Sequence, residues 1–259
     1  MPAIFRWSTP AAERFRTDSR AWGLAPRQAL LLALLPFILA VVAAATVPFK
    51  ELYLWLVDED SLIEWLQVLC LLGACIFLPL ITLALLRAGR LGITLLYAVV
   101  TLGVWFLTGE EISWGQRIFG WDTPEDVNAV NRQGETNLHN LRGVQELVPY
   151  AMLLASLYGA CAPLVRAALG SRREHVASKH LLVPPLCLVP AFLLAAGYRL
   201  FRLLIWPEPT FVLSEYGEVM ELCLYLGLAV FCGLNLRLLQ QRQPAPGVRD
   251  LSRPTPRSP

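Results

Sequence analysis

Leu62-IEWLQVLCLLGACIFLPLITLAL-Leu86 carries a single charged residue, Glu64, close to its start. About 20 apolar residues in a helix cross the roughly 30 Å of bilayer hydrocarbon. A run of this length and purity is therefore a membrane span, not the buried helix of a water-soluble domain. Five further apolar runs resemble it: Ala29 to Phe49, Leu91 to Leu107, Val148 to Ala168, Leu181 to Phe201, and Phe211 or Glu218 to Leu239. The third is short and must borrow residues from the Glu110 region to cross. The whole chain of 259 residues is 56% hydrophobic and only 16% charged, with a mean hydropathy of +0.51, against about 25% charged in soluble domains. The expected fold is an all-α, polytopic integral membrane bundle of six transmembrane helices.

Charge sets the expected orientation. With the N-terminus inside, the inner segments hold 16 of the 22 Lys and Arg residues. The other six, Lys50, Arg117, Arg132, Arg142, Arg199 and Arg202, fall at the outer side. Positive residues are retained in the cytoplasm, so both termini are expected there, in a bacterial inner (plasma) membrane. The acids run the other way, with only Glu13, Asp18, Glu174 and Asp250 of 20 on the inner side. The outer mouth is accordingly electronegative and attracts cations. The chain divides into three parts: a cytoplasmic tail over 1–27, with Phe5, Trp7, Phe15 and Trp22 placed to lie on the interface, a six-span domain over 28–240 with a structured outer loop over 109–146, and a disordered cytoplasmic tail over 241–259.

Two inner features are local. Pro184, Pro185 and Pro190 should kink the fifth span or make it start irregularly. The six cysteines lie in apolar segments without CxxC spacing and read as small buried hydrophobes. In the outer loop, Thr123-Pro124-Glu125-Asp126 predicts a short helix from Pro124 to about Asn131, capped by Thr123. Trp114, Phe119 and Trp121 should sit at headgroup depth.

The chemistry is concentrated in Gly109-Glu110-Glu111-Ile112-Ser113-Trp114-Gly115-Gln116-Arg117 and in Glu135-Thr136-Asn137-Leu138-His139-Asn140. Ionisable groups at a membrane boundary are costly unless paired, hydrated or metal-bound. On a continuous helix Glu110, Ser113, Trp114 and Arg117 would share a face, with Glu111 turned about 100° away. Glu135 and His139 are four apart, a spacing that lets a carboxylate orient an imidazole or share a metal with it. Glu64 and Gln67 on the second span and Glu218 and Glu221 on the sixth lie at the same depth.

The candidate metal set is thus Glu64, Glu111, Glu135, His139, Glu218 and Glu221, and the candidate catalytic residues are Glu111, His139 and Glu110. An oxygen-rich set with one imidazole favours magnesium, manganese or iron over zinc. Arg199, Arg202 and Arg117 are placed to clamp the phosphate of a lipid or cofactor headgroup. The competing reading is structural: Arg117, Arg142, Arg199 and Arg202 pair with the acids and close the outer end of the bundle.

These residues point to a membrane-embedded enzyme acting on a lipid or lipid-linked substrate by metal-assisted hydrolysis or group transfer, with its polar site facing the extracytoplasmic side. The alternative is a non-catalytic accessory subunit that docks a membrane protein partner through the same loop. There is no P-loop, dinucleotide fingerprint or basic nucleic-acid surface, so nucleotides and DNA are not expected partners.

The segments Gly109 to Arg117 and Asn137 to Leu141 resemble a signature of uncharacterised bacterial multi-pass membrane proteins. The resemblance covers the central third of the chain and supplies no established activity. The pattern of alkaline ceramidase-like hydrolases, with three zinc-binding histidines plus Ser and Asp, is not met, because two of those histidines have no counterpart here. A metal centre at the outer mouth predicts stoichiometric metal in elemental analysis of the detergent-purified protein. That metal should be lost in Glu111→Gln and His139→Ala after matched washing.

Overall fold

The structure, a computed structural model, describes residues 10–58, 61–129, 131, 136–138, 141, 144–169 and 180–242. Among them, ten α-helices run in the order α1 Pro10–Ala21, α2 Pro26–Thr46, α3 Lys50–Val57, α4 Leu62–Arg87, α5 Leu91–Glu111, α6 Gln116–Phe119, α7 Glu125–Asn128, α8 Val148–Leu169, α9 Val189–Leu204 and α10 Phe211–Arg242. Six stretches are long and apolar enough to cross a membrane: Pro26–Thr46, Lys50–Arg87, Leu91–Glu111, Val148–Leu169, His180–Leu204 and Phe211–Gln241. The protein is an all-α, six-span polytopic membrane bundle.

The helices pack as a row, α5 on α4, α4 on α10, α10 on α9 and α9 on α8, with α2 laid against α9 and α10. Burial follows that order. Half of the apolar window of α10 and 56% of that of His180–Leu204 are buried, against 22% in α2, α5 and α8. The centre is therefore α9 and α10, and the flanking helices turn most of their leucine, valine and phenylalanine surface outward.

With lipid as apolar as leucine, helices associate through close approach at small residues. Phe192 on α9 provides the clearest case. Its ring occupies the space where a Cβ on Gly159 of α8 would stand 2.4 Å away and one on Gly227 of α10 would stand 2.9 Å away. One aromatic ring thus joins three helices because two positions lack side chains.

The third span takes in Gly109 to Glu111, as its short apolar run required. The fifth span is broken where its prolines predict. A turn at His180 gives way to Pro184-Pro185 and a 3-10 segment Leu186–Leu188 before α9 begins, with Pro190 in its first turn. In the loop helix α7, Pro124 and not Thr123 holds the cap position, and the helix ends at Asn128. Trp114, Phe119 and Trp121 are exposed, and the last two stack with ring centroids 5.6 Å apart. Helix α3, unforeseen from sequence, covers the starts of α4 and α10, where the Tyr53 hydroxyl donates to the Val212 carbonyl at 2.7 Å.

Residues 10–24 differ from a free tail. Asp18 pairs with Arg166 of α8 and accepts the Leu186 N–H at 2.7 Å. Burial pushes the Asp18 carboxyl above its usual range, against the opposing pull of the Leu186 N–H and the Arg166 guanidinium. Trp22, expected on the interface, is instead fully buried, edge-on to His180 at 4.7 Å and beside Phe231 at 6.0 Å. Its indole fills a hole left by the broken start of the fifth span.

Gly159→Ala should lower stability by about 1–3 kcal/mol, since a methyl group cannot coexist with the Phe192 ring without repacking. Gly197→Ala, which meets nothing within 4 Å, should be neutral or slightly stabilising. Thermal unfolding of the two purified variants in one detergent checks the contrast.

Candidate functional site at the acidic end of the bundle

The site begins where α5 stops. Ser113, Trp114 and Gly115 follow one another with φ of 46°, 54° and 97°. Glycine adopts this region freely, whereas Ser and Trp do so at a cost of about 1 kcal/mol or more each. The turn is held by the buried Glu110, only 2% exposed, whose carboxylate accepts the Trp114 indole N–H and the Leu138 N–H, each at 2.6 Å. Asn137 Nδ2 donates to Ser113 Oγ at 3.2 Å. The single helical face expected for Glu110, Ser113, Trp114 and Arg117 is therefore interrupted, and Trp114 reaches back to Glu110 through the turn.

Beyond the turn, Gln116 ties the loop together. Its Nε2 donates to Thr123 Oγ1 and its Oε1 accepts the Thr136 N–H, both at 2.7 Å. Asn131 Nδ2 donates to the carbonyl of Asn137 at 2.9 Å and to its Oδ1 at 3.0 Å.

The two adjacent glutamates have different tasks. Glu110 organises the loop, while Glu111 turns into the bundle and accepts the Tyr225 hydroxyl of α10 at 2.8 Å. Glu111 interacts electrostatically with Glu221, Glu64 and Arg117. Glu218 interacts with Glu221, Glu111 and Glu64, and its Oε2 accepts from Gln67 Nε2 at 3.0 Å. Four of the sequence-predicted carboxylates, Glu64, Glu111, Glu218 and Glu221, are thereby brought together from α4, α5 and α10.

Two of the four are ion-paired. Arg117 Nη1 meets Glu64 Oε2 at 2.6 Å, and Arg199 of α9 pairs with Glu221. Arg199 also donates to Met152 Sδ of α8 at 2.9 Å, and Arg202 donates to the Glu208 carbonyl at 3.2 Å. The three arginines considered as a headgroup clamp thus each hold a partner within the protein. Among the described residues, Glu111 and Glu218 receive hydrogen bonds from neutral donors and no ion pair. Glu135, His139, Asn140, Arg132 and Arg142 lie outside the described residues. Among the described residues no group of three His, Cys, Asp or Glu side chains is placed to hold a metal ion.

Two participants escaped the sequence reading. Tyr225 stands seven residues after Glu218 and four after Glu221, on one stripe of α10, but a tyrosine in an apolar run reads as core. Ser156 of α8 lines a small crevice with Met152, Arg199 and Glu221. It is fully buried, and its hydroxyl has no hydrogen-bond partner in the structure.

No protein-family model matches the chain, and searches of curated proteins and of solved structures find no match to it. The site is therefore read from its own chemistry. Glu110→Ala should loosen the loop by about 2 kcal/mol, because two charge-assisted hydrogen bonds are lost. Limited proteolysis within 116–141 should then run roughly 30-fold faster, while Glu111→Gln should leave the cleavage rate unchanged.

Proposed function

We propose that the chain is a membrane-embedded enzyme acting on a lipid or lipid-linked substrate by hydrolysis or group transfer. The observation that carries this reading is the meeting of Glu111 and Glu218, two carboxylates without an ion pair among the described residues, beside Tyr225 at one end of a transmembrane bundle. Ionisable groups at this depth are costly and are retained for function by default. In this reading Glu111 exchanges a proton with the reacting group, and Tyr225 orients its carboxylate. His139 is the second candidate base named from the sequence. Arg199 and Arg202 lie near the substrate's polar head, and the Arg199–Glu221 pair lets the guanidinium remain charged in the membrane.

A divalent metal remains the cofactor proposed for the oxygen-rich set named from sequence, Glu64, Glu111, Glu135, His139, Glu218 and Glu221. Such an ion, when bound, would polarise a phosphate or carbonyl oxygen. The arginine asymmetry keeps both termini in the cytoplasm of a bacterial inner membrane in this proposal, with the acidic end extracytoplasmic. The signature resemblance, to bacterial multi-pass membrane proteins, belongs to the same proposal.

A second reading, a non-catalytic subunit of a larger membrane complex, is favoured by the exposed Phe119–Trp121 stack on the loop. That pair offers a flat aromatic surface of the kind that anchors protein interfaces. Mass spectrometry of lipids from cells expressing the wild type, Glu111→Gln, Glu218→Gln or Tyr225→Phe at equal membrane levels separates the two. The wild type should change the amount of at least one lipid or lipid-linked species. Glu111→Gln should reduce that change at least tenfold. Identical profiles for all four, together with a stoichiometric membrane protein co-purifying with each, would remove the enzyme reading.

A further inference from the structure

Gln67 is fully buried on α4, and its amide orientation is fixed by its neighbours. Nε2 donates to the Glu218 carbonyl at 2.8 Å and to Glu218 Oε2 at 3.0 Å. Reversing the amide would set its oxygen against two other oxygens. Oε1 is consequently the end of that amide left over, and it has no hydrogen-bond partner in the structure. A buried carbonyl oxygen left in this way calls for a donor or a cation.

The surroundings select between them. Glu64 lies one turn before Gln67 on the same helix, and Glu64, Glu111 and Glu221 all interact electrostatically with Glu218. The guanidinium groups in this cluster, Arg117 and Arg199, are engaged by Glu64 and Glu221. Glu64 and Glu221 are balanced by Arg117 and Arg199, so a charge on Glu111 or Glu218 has to be met by a proton or a further cation. The acidic groups around Glu218, namely Glu64, Glu111 and Glu221, all offer oxygen, the preference of hard cations. Magnesium-class ions are commonly held by one or two carboxylates while keeping several waters or substrate phosphate oxygens, so a site of this kind does not need three acidic ligands.

We infer that the Glu218 carboxylate and Gln67 Oε1 hold a hydrated hard divalent cation of the magnesium class, with Glu111 as the nearby acid that carries no ion pair among the described residues. This rests on reading the acidic cluster as the working site and deepens it. A cation there would prefer substrates whose polar head presents phosphate oxygens to its remaining positions.

The test uses the full-length protein, purified in mild detergent and stripped with EDTA. Titration with Mg2+, Mn2+ or Ca2+ at constant ionic strength is followed by thermal unfolding, and Mn2+ binding is read by electron paramagnetic resonance with Mg2+ as competitor. The expected result is a saturable rise in Tm of several degrees and one competable Mn2+ site. Affinity should fall at least tenfold in Glu218→Gln and in Gln67→Leu, and should be unchanged in Glu208→Gln. If a variant does not fold, the wild-type Mn2+ spectrum and its competition by Mg2+ still decide whether the site exists. Absence of saturable binding, an equal effect from Na+ at matched ionic strength, or full affinity in folded Glu218→Gln would overturn the inference. Divalent binding with unchanged cellular lipids would sink the enzyme reading alone. A Glu111-dependent lipid change without divalent binding would sink the cation alone.

Discussion

A carboxylate placed at the edge of hydrocarbon must be given partners, and the architecture of the acidic end follows from that requirement. Glu64, Glu110, Glu111, Glu218 and Glu221 are satisfied in different ways: by Arg117, by two N–H groups of the loop, by the Tyr225 hydroxyl, by the Gln67 amide and by Arg199. Each solution ties two elements together. The Glu218–Gln67 contact joins α10 to α4, Glu111–Tyr225 joins α5 to α10, and Glu221–Arg199 joins α10 to α9. Ion pairs of this kind add little net stability over apolar packing, but removing one partner leaves the other charge exposed to a poor solvent. Their contribution is to fix the relative rotation of the helices, which leucine-rich surfaces alone specify weakly.

The opposite end solves a smaller version of the same problem. Asp18 reaches across from α1 to Arg166 and to the backbone of the broken fifth span. Pro184 and Pro185 lack N–H groups and prevent a regular helix start, so the Leu186 N–H needs an acceptor from elsewhere. Asp18 supplies it, and Trp22 fills the adjoining space. The two ends are therefore closed by different means, one by a dense acidic cluster and the other by an N-terminal helix folded beneath the spans.

Hydropathy made the six spans legible, because crossing length and apolar composition are properties of single segments. The docking of α1 was not, since whether Trp22 lies on a membrane surface or under His180 depends on a cavity made by another part of the chain. The acidic residues showed a similar division. Glu218 and Glu221 announce a shared helical face by their spacing, and Glu64 with Gln67 does the same. Glu110 and Glu111 stand about 100° apart on α5 as their adjacency requires, but the return of the Trp114 indole onto Glu110 depends on Ser113 and Trp114 adopting left-handed backbone, which no local preference of those residues favours. Tyr225 and Ser156 were hidden because both are ordinary constituents of a packed transmembrane helix until their neighbours are known.

That left-handed turn also constrains how this region can vary among descendants of the chain. Inserting or deleting one residue between Gly109 and Arg117 would rotate the downstream residues by about 100° if the helix simply continued. If the turn were kept, the change would shift Arg117 away from Glu64. Length changes are far better accommodated around Gly120 to Asp122, which are exposed and lie outside the Glu110 clamp. Substitutions can drift on the lipid-facing sides of α2, α5 and α8, whereas the spacing from Gly109 to Arg117 has little freedom to change.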